Sequence, residues 1–146
     1  MLFNSYVFML AFLPLTLLCY FLLGRLPEKI QLVFCGAPQD QPYIAKIMDS
    51  LDRPAISIAG QTSLLELAAL FQKADLLLTG DTGPLYIAVS VGLPTLSLWG
   101  PTHPSIYGPL TSGHNFILSP YDCISCCKTH CHEHTNGCMN AIPPDT

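Results

Sequence analysis

The residues best suited to chemistry lie in Gly80-Asp81-Thr82-Gly83-Pro84. An apolar run, Leu76-Leu77-Leu78, feeds this tight turn, and the segment from Leu85 to Gly92 that follows reads as a short helix. Thr82 suits the N-cap, where its oxygen can accept from free N–H groups of the first turn. Pro84 suits the first helical position, which needs no N–H. Gly83 lets a ligand approach the backbone closely. A strand that enters a helix through a glycine turn presents unpaired N–H groups and the positive end of the helix dipole, and both attract phosphate. Open α/β sheets bind ligands at this place, beyond the carboxyl ends of their strands. Strand-turn-helix units without a ligand read the same way, so the turn alone leaves both readings standing.

Three further groups can carry chemistry. Asp40, four residues after Gly36, is a carboxylate able to accept from two hydroxyls at once, or simply a solvated helix cap favoured by the dipole. His103, in the loop after Trp99, is an acid or base by type, or a solvated loop histidine. Cys123, Cys126, Cys127, Cys131 and Cys138 crowd together, with His130, His132 and His134 between them. Thiolates and imidazoles at this density could bind zinc, although no second matching pair follows Cys123-x-x-Cys126. Disulfides are the other option, and an odd number of thiols in a cytoplasmic domain speaks against them.

The elements that must position these residues alternate. Gln31–Cys35 reads as a buried parallel strand ending at Gly36, and Tyr43–Leu51 as a helix with Ile44, Ile47 and Leu51 on one face. Ala55–Ile58 is a short strand. Leu64–Lys73 is a helix capped by Thr62 or Ser63, with Leu64, Leu67, Ala68 and Phe71 inward. Asp75–Thr79 is the strand that carries the glycine turn, and Leu93–Leu98 is another apolar strand. Alternating strands and helices imply an α/β fold, a Rossmann-like parallel sheet with right-handed crossovers. Residues 27–146 make one such domain, with a Cys-rich segment at 121–140.

Half of the residues are hydrophobic, and Met1–Gly24 carries no charged side chain. That stretch is long enough to cross a bilayer, which takes ~20 apolar residues. It lacks the basic start and small-residue cleavage site of a signal peptide. One N-terminal transmembrane helix over residues 1–26 is therefore expected. Arg25 and Lys29 after the span place the C-terminal domain in the cytoplasm, as a single-pass inner-membrane protein. Net charge is −4, with no basic run, which excludes a nucleic-acid partner.

Asp81-Thr82-Gly83-Pro84, Gly92-Leu93-Pro94-Thr95 and Gly100-Pro101-Thr102-His103-Pro104, in that order, resemble glycosyltransferase family 9, which includes the lipopolysaccharide heptosyltransferases. Gly60–Ala68 is similar to the family's preceding loop and helix, and the resemblance runs over about residues 30–142. It implies a GT-B architecture of two Rossmann-like domains, of which this chain holds the C-terminal, donor-binding half. The implied donor site comprises Gly36, Asp40 (near the ribose or base), Asp81, Thr82, Gly83, Pro84, Leu85, Tyr86 and Thr102. Asp81 would repel a diphosphate, so its implied partners are sugar hydroxyls or the turn's own N–H groups. Tyr86 departs from the family, where many members carry histidine; a tyrosine, with a reference pKa near 10, brings no cation to the phosphates at neutral pH.

The resemblance implies transfer of a heptose or hexose from a nucleoside-diphosphate sugar to a lipopolysaccharide or other cell-envelope glycan. The family's general base lies upstream of the residues matched, so no catalytic residue is assigned here and the chain alone is expected not to catalyse transfer. Cys138-Met139-Asn140-Ala141-Ile142 is similar to a cysteine-bearing family loop, which offers reduced thiols as a third reading of the cluster. Met1–Leu26 resembles the first segment of membrane-bound O-acyltransferases, with a join near Pro27–Ile30. The alternatives to an enzyme are a membrane-tethered binding module clipped by a metal, or a fragment without function.

Overall fold

The computed structural model describes residues 30–128, 131 and 137–142. The expected membrane span lies outside them; among the described residues no helix is long and apolar enough to cross a membrane. Strand β1 (Leu32–Phe34) leads through a 3-10 turn at Pro38–Asp40 into α1 (Gln41–Asp49), then β2 (Ala55–Ser57) and α2 (Leu64–Phe71). Strand β3 (Leu77–Gly80), α3 (Gly83–Ser90) and β4 (Thr95–Trp99) follow. A short helix α4 (Pro104–Tyr107), β5 (His114–Leu118) and a 3-10 turn at Met139–Ala141 close the order.

All strand pairs are parallel, as the alternation requires. They form two sheets: β1 pairs with β2, and β3, β4 and β5 pair in that order. Among the described residues nothing hydrogen-bonds β1 to β3. Strand β5 was not foreseen; His114-Asn115-Phe116-Ile117-Leu118 opens with two polar residues and leaves an apolar run of only three, yet it pairs with β4 over its full length.

The core gathers around the larger sheet. Trp99 and Leu85 are fully buried, and Trp99 donates its indole N–H to Ser97 Oγ at 2.8 Å. Phe116 meets the Trp99 ring edge-on, with centroids 6.0 Å apart. Leu67, Phe71, Leu77, Ala88 and Leu93 form one cluster, which packs α2 and α3 onto β3. A second cluster, Leu98 with Cys138, Met139 and Ile142, seats the C-terminal segment on β4. Ser119 Oγ donates to the Cys138 carbonyl at 2.8 Å and fixes that seat.

Two expectations need correction. Strand β1 buries none of its residues, and Val33 is exposed; among the described residues it has a strand partner on one side only. Leu64, expected inward, is 73% exposed. It stands at the first position of α2, ahead of the turn where Leu67 and Phe71 begin the buried stripe.

Candidate functional site

The gap between β1 and β3 opens into a cavity of about 680 Å³, within the ~300–1,000 Å³ range of small-molecule sites. Its walls are β1 and the Gly36–Asp40 turn on one side, and β3 with Thr82, Gly83 and Pro84 on the other. Gly60, Thr62, Ser63, Leu64 and Leu67 close it at the start of α2. Here the chain leaves β1 toward β2 and leaves β3 toward β4, in opposite directions. Open α/β sheets take ligands at such a switch point, outside the strands' carboxyl ends.

Of the sequence candidates, Gly36, Asp40, Thr82, Gly83 and Pro84 meet in this cavity. Asp40 caps its own turn, because its Oδ2 accepts from the Ala37 N–H at 2.8 Å. Thr82 does not cap α3 with its side chain. Its hydroxyl pairs with Thr79 Oγ1 at 3.2 Å instead. A Cβ built on Gly83 would meet nothing within 4 Å, so this backbone faces open space. Leu85, a donor candidate by resemblance, is fully buried and belongs to the core.

Asp81, Tyr86 and Thr102 lie outside the cavity lining and form a separate group. Asp81 Oδ1 accepts from the Tyr86 hydroxyl at 2.8 Å, and Oδ2 accepts from Thr102 Oγ1 at 2.7 Å. The Tyr86 hydroxyl also reaches the Tyr107 carbonyl at 2.9 Å. Burial, then the hydrogen bond and negative charge of Asp81, push the Tyr86 pKa up to about 12. His103 is neither in the cavity nor beside Asp81; its Nδ1 accepts from the Ser105 N–H at 3.2 Å and caps α4.

Sequence reasoning missed Thr62 and Ser63 as wall residues and took them only as caps. Ser63 is that cap: its Oγ accepts from the Glu66 N–H at 3.3 Å, and Glu66 Oε2 accepts from the Ser63 N–H at 2.8 Å. The signal that could have placed them was Gly60, whose positive φ of 69° turns the chain back under Pro38. Among the described residues the wall contains no lysine or arginine. Cys35 lines it as a neutral thiol, since burial pushes its pKa up despite a backbone hydrogen bond.

Cys35, Cys123, Cys126, Cys127 and Cys138 are free thiols. Among the described residues no group of three or more metal-ligating side chains converges on one point. His130, His132 and His134 lie outside them. Cys138 is buried beneath Gly100, and burial pushes its thiol up; Cys126, Cys131 and Cys123 add to the rise, against a backbone hydrogen bond.

Comparison with known proteins agrees with this geometry. Residues 22–136 match the model of glycosyltransferase family 9 (heptosyltransferase). That match begins upstream of the join expected at Pro27–Ile30. A lipopolysaccharide core heptosyltransferase, OpsX, of Haemophilus influenzae is 33% identical over 97 residues, which are 65% of this chain and 28% of the relative. Lipopolysaccharide heptosyltransferase 1 of Pseudomonas aeruginosa is 32% identical over 96 residues, 66% of this chain and 26% of the relative. The crystal structure of a family 9 glycosyl transferase from Veillonella parvula superposes with a TM-score of 0.73 at 25% identity, covering 89% of this chain and 37% of that one. The ADP-heptose lipopolysaccharide heptosyltransferase II of E. coli shares the fold, with a TM-score of 0.62 at 23% identity. This chain thus spans between a quarter and a third of the curated relatives it matches. By sequence and by fold, the chain belongs to glycosyltransferase family 9.

Proposed function

We propose that this chain is the donor-binding part of a family 9 glycosyltransferase, and that the cavity between β1 and β3 receives the nucleoside diphosphate of a sugar donor. One observation carries the reading: the Gly36–Asp40 turn and the Thr82–Pro84 turn line the same cavity. The diphosphate would lie at Thr82 and Gly83, where a hydroxyl and exposed backbone meet the positive end of α3. Among the described residues of the wall, hydroxyls and backbone N–H groups are what can compensate its charge. Asp40 stands on the opposite wall, at reach for sugar hydroxyls of the nucleoside. The sugar, by analogy with the relatives, is a heptose or hexose, and the acceptor a lipopolysaccharide or related glycan. Anchoring through residues 1–26 belongs to the same proposal and rests on the lack of charge over Met1–Gly24.

Calorimetric titration of the full chain in detergent with ADP-, GDP- and UDP-sugars tests it, with Gly83→Val alongside. A side chain at Gly83 enters open space, so the variant keeps its fold and fills only the cavity. Saturable binding by the parent and loss in Gly83→Val are expected. A folded parent that binds none of the three would overturn the reading.

A further inference from the structure

The Asp81 carboxylate is engaged on both oxygens, by donors from two different segments. Tyr86 comes from α3, and Thr102 from the loop that follows β4. Tyr86 then continues to the carbonyl of Tyr107, at the far end of that loop. A phenol has one proton, which Asp81 and Tyr107 share in a three-centre arrangement. The loop from Gly100 to Gly108 is therefore gripped at Thr102 and at Tyr107 by one side-chain cluster rooted in the glycine turn. Other bonds on this side are local, such as Gly108 N–H to the Pro104 carbonyl at 2.7 Å, and Ile106 is 68% exposed. On its other face, the Gly100 and Pro101 carbonyls accept from the Ser125 and Cys127 N–H groups.

We propose that Asp81 is a positioning residue: with Tyr86 and Thr102 it forms a latch that fixes the Gly100–Gly108 loop and holds the adjoining Thr82-Gly83 backbone at the cavity. This deepens the donor-site reading and rests on it. Three facts favour a latch over a sugar ligand. The Asp81 side chain lies outside the cavity lining. Bonds to a carboxylate are among the stronger ones, so exchanging one for a sugar hydroxyl gains little. The exchange would also strand the half-buried Thr102 hydroxyl.

Tyr86→Phe removes one hydroxyl and Thr102→Val replaces another with a methyl, and both retain shape. Two measurements on the full chain separate the possibilities. Amide hydrogen exchange over Thr102–Gly108 needs no ligand. It should quicken about three- to tenfold in either variant, the size of one lost hydrogen bond. Titration with sugar-free ADP, GDP and UDP should show the nucleotide that the parent binds weakened by about the same factor in each variant. Adding Asp81→Asn to Tyr86→Phe should cost little more, since the two act in one network.

Unchanged exchange in both variants overturns the latch, whatever the nucleotides do. Faster exchange with an unchanged diphosphate affinity overturns the link from loop to turn. An Asp81→Asn variant weakened only toward sugar-bearing nucleotides, with Tyr86→Phe silent, makes Asp81 a ligand and sinks the proposal. A parent that binds no nucleotide fails the donor-site reading instead, and hydrogen exchange then decides the latch alone.

Discussion

Two parallel sheets flank the cavity, built from the same strand-helix alternation, and they bury very different amounts. In the larger one, Leu77, Thr79, Thr95, Ser97, Leu98 and Trp99 are buried, with helices or the C-terminal segment packed against them. In the smaller one, β1 and β2 bury no residue, and Val33 and Ile56 are exposed. What holds the smaller sheet is α1, through Ile44 and Ile47, and the glycine turn that packs Gly60 under Pro38. The difference teaches where the cavity wall draws its rigidity. Thr82 and Gly83 sit on the well-packed half, whereas Gly36 and Asp40 sit on the half that faces open space.

The sharpest way to break this comparison is to truncate one side chain in each half. Trp99→Ala removes a fully buried indole and its bond to Ser97 Oγ, leaving that hydroxyl only its own donation to the Asn115 carbonyl at 3.3 Å. It should cost about 3–5 kcal/mol. Ile56→Ala, at a site 44% exposed, should cost about 1 kcal/mol or less. Urea denaturation measures both. Equal losses would mean that β2 is buried in the working protein and that the asymmetry is false.

The glycines sharpen it further. Gly60 has a φ of +69° and a Cβ there would lie 2.9 Å from Pro38 Cα, a backbone atom that cannot swing aside. Gly92 has a φ of +77° with open space around it. Gly60→Ala combines backbone strain with a clash and should destabilise by about 2–3 kcal/mol, while Gly92→Ala carries the strain alone and should lose about 1 kcal/mol. Similar losses would show that the Pro38 wall yields easily and that the smaller sheet is soft.

The same asymmetry explains what could be read in advance. The glycine turn, its strand and its helix were legible because Asp81-Thr82-Gly83-Pro84 combines a cap, a turn residue and a helix-starting proline in one place. Strand β5 was not, because its stability comes from pairing with β4, a long-range partner that the local pattern of His114–Leu118 does not disclose. The exposure of β1 was hidden for the converse reason: its apolar run looks fully buried, yet among the described residues it has no hydrogen-bonded neighbour toward β3. The candidate site was half legible. Spacing singled out Thr82 and Gly83, and the family resemblance Gly36 and Asp40, all of which line one cavity; neither could show that the Asp81 side chain turns away toward Thr102 and Tyr86.

Tyr86 offers a smaller, pH-dependent effect on the packed side. Its pKa is raised to about 12 from an ordinary 10, so the fold favours the neutral phenol. That contribution is fully present below pH ~10 and is lost as pH rises through about 12. Partial exposure of the ring screens it, so the effect stays modest. Stability followed by denaturation from pH 8 to 12 should therefore fall more steeply for the parent chain than for Tyr86→Phe. Parallel curves would remove Tyr86 from the linkage and weaken the grip on Tyr107.

The mildest test falls at the rim where the halves meet. Ser63 and Glu66 form a reciprocal cap at the start of α2, and Ser63 also lines the cavity. Ser63→Ala should cost about 1 kcal/mol, the usual worth of such a cap. Bonds from the Ser63 backbone and then its hydroxyl lower the Glu66 pKa. Its share of stability is thus present above the ordinary glutamate range and lost as pH falls through the lowered value. In Ser63→Ala the backbone bond survives and the hydroxyl bond does not, so the acid-induced loss should shrink without vanishing. Because α2 packs on β3 through Leu67 and Phe71, a loss much above 1 kcal/mol would show that the cap supports the packed half as well as the helix end.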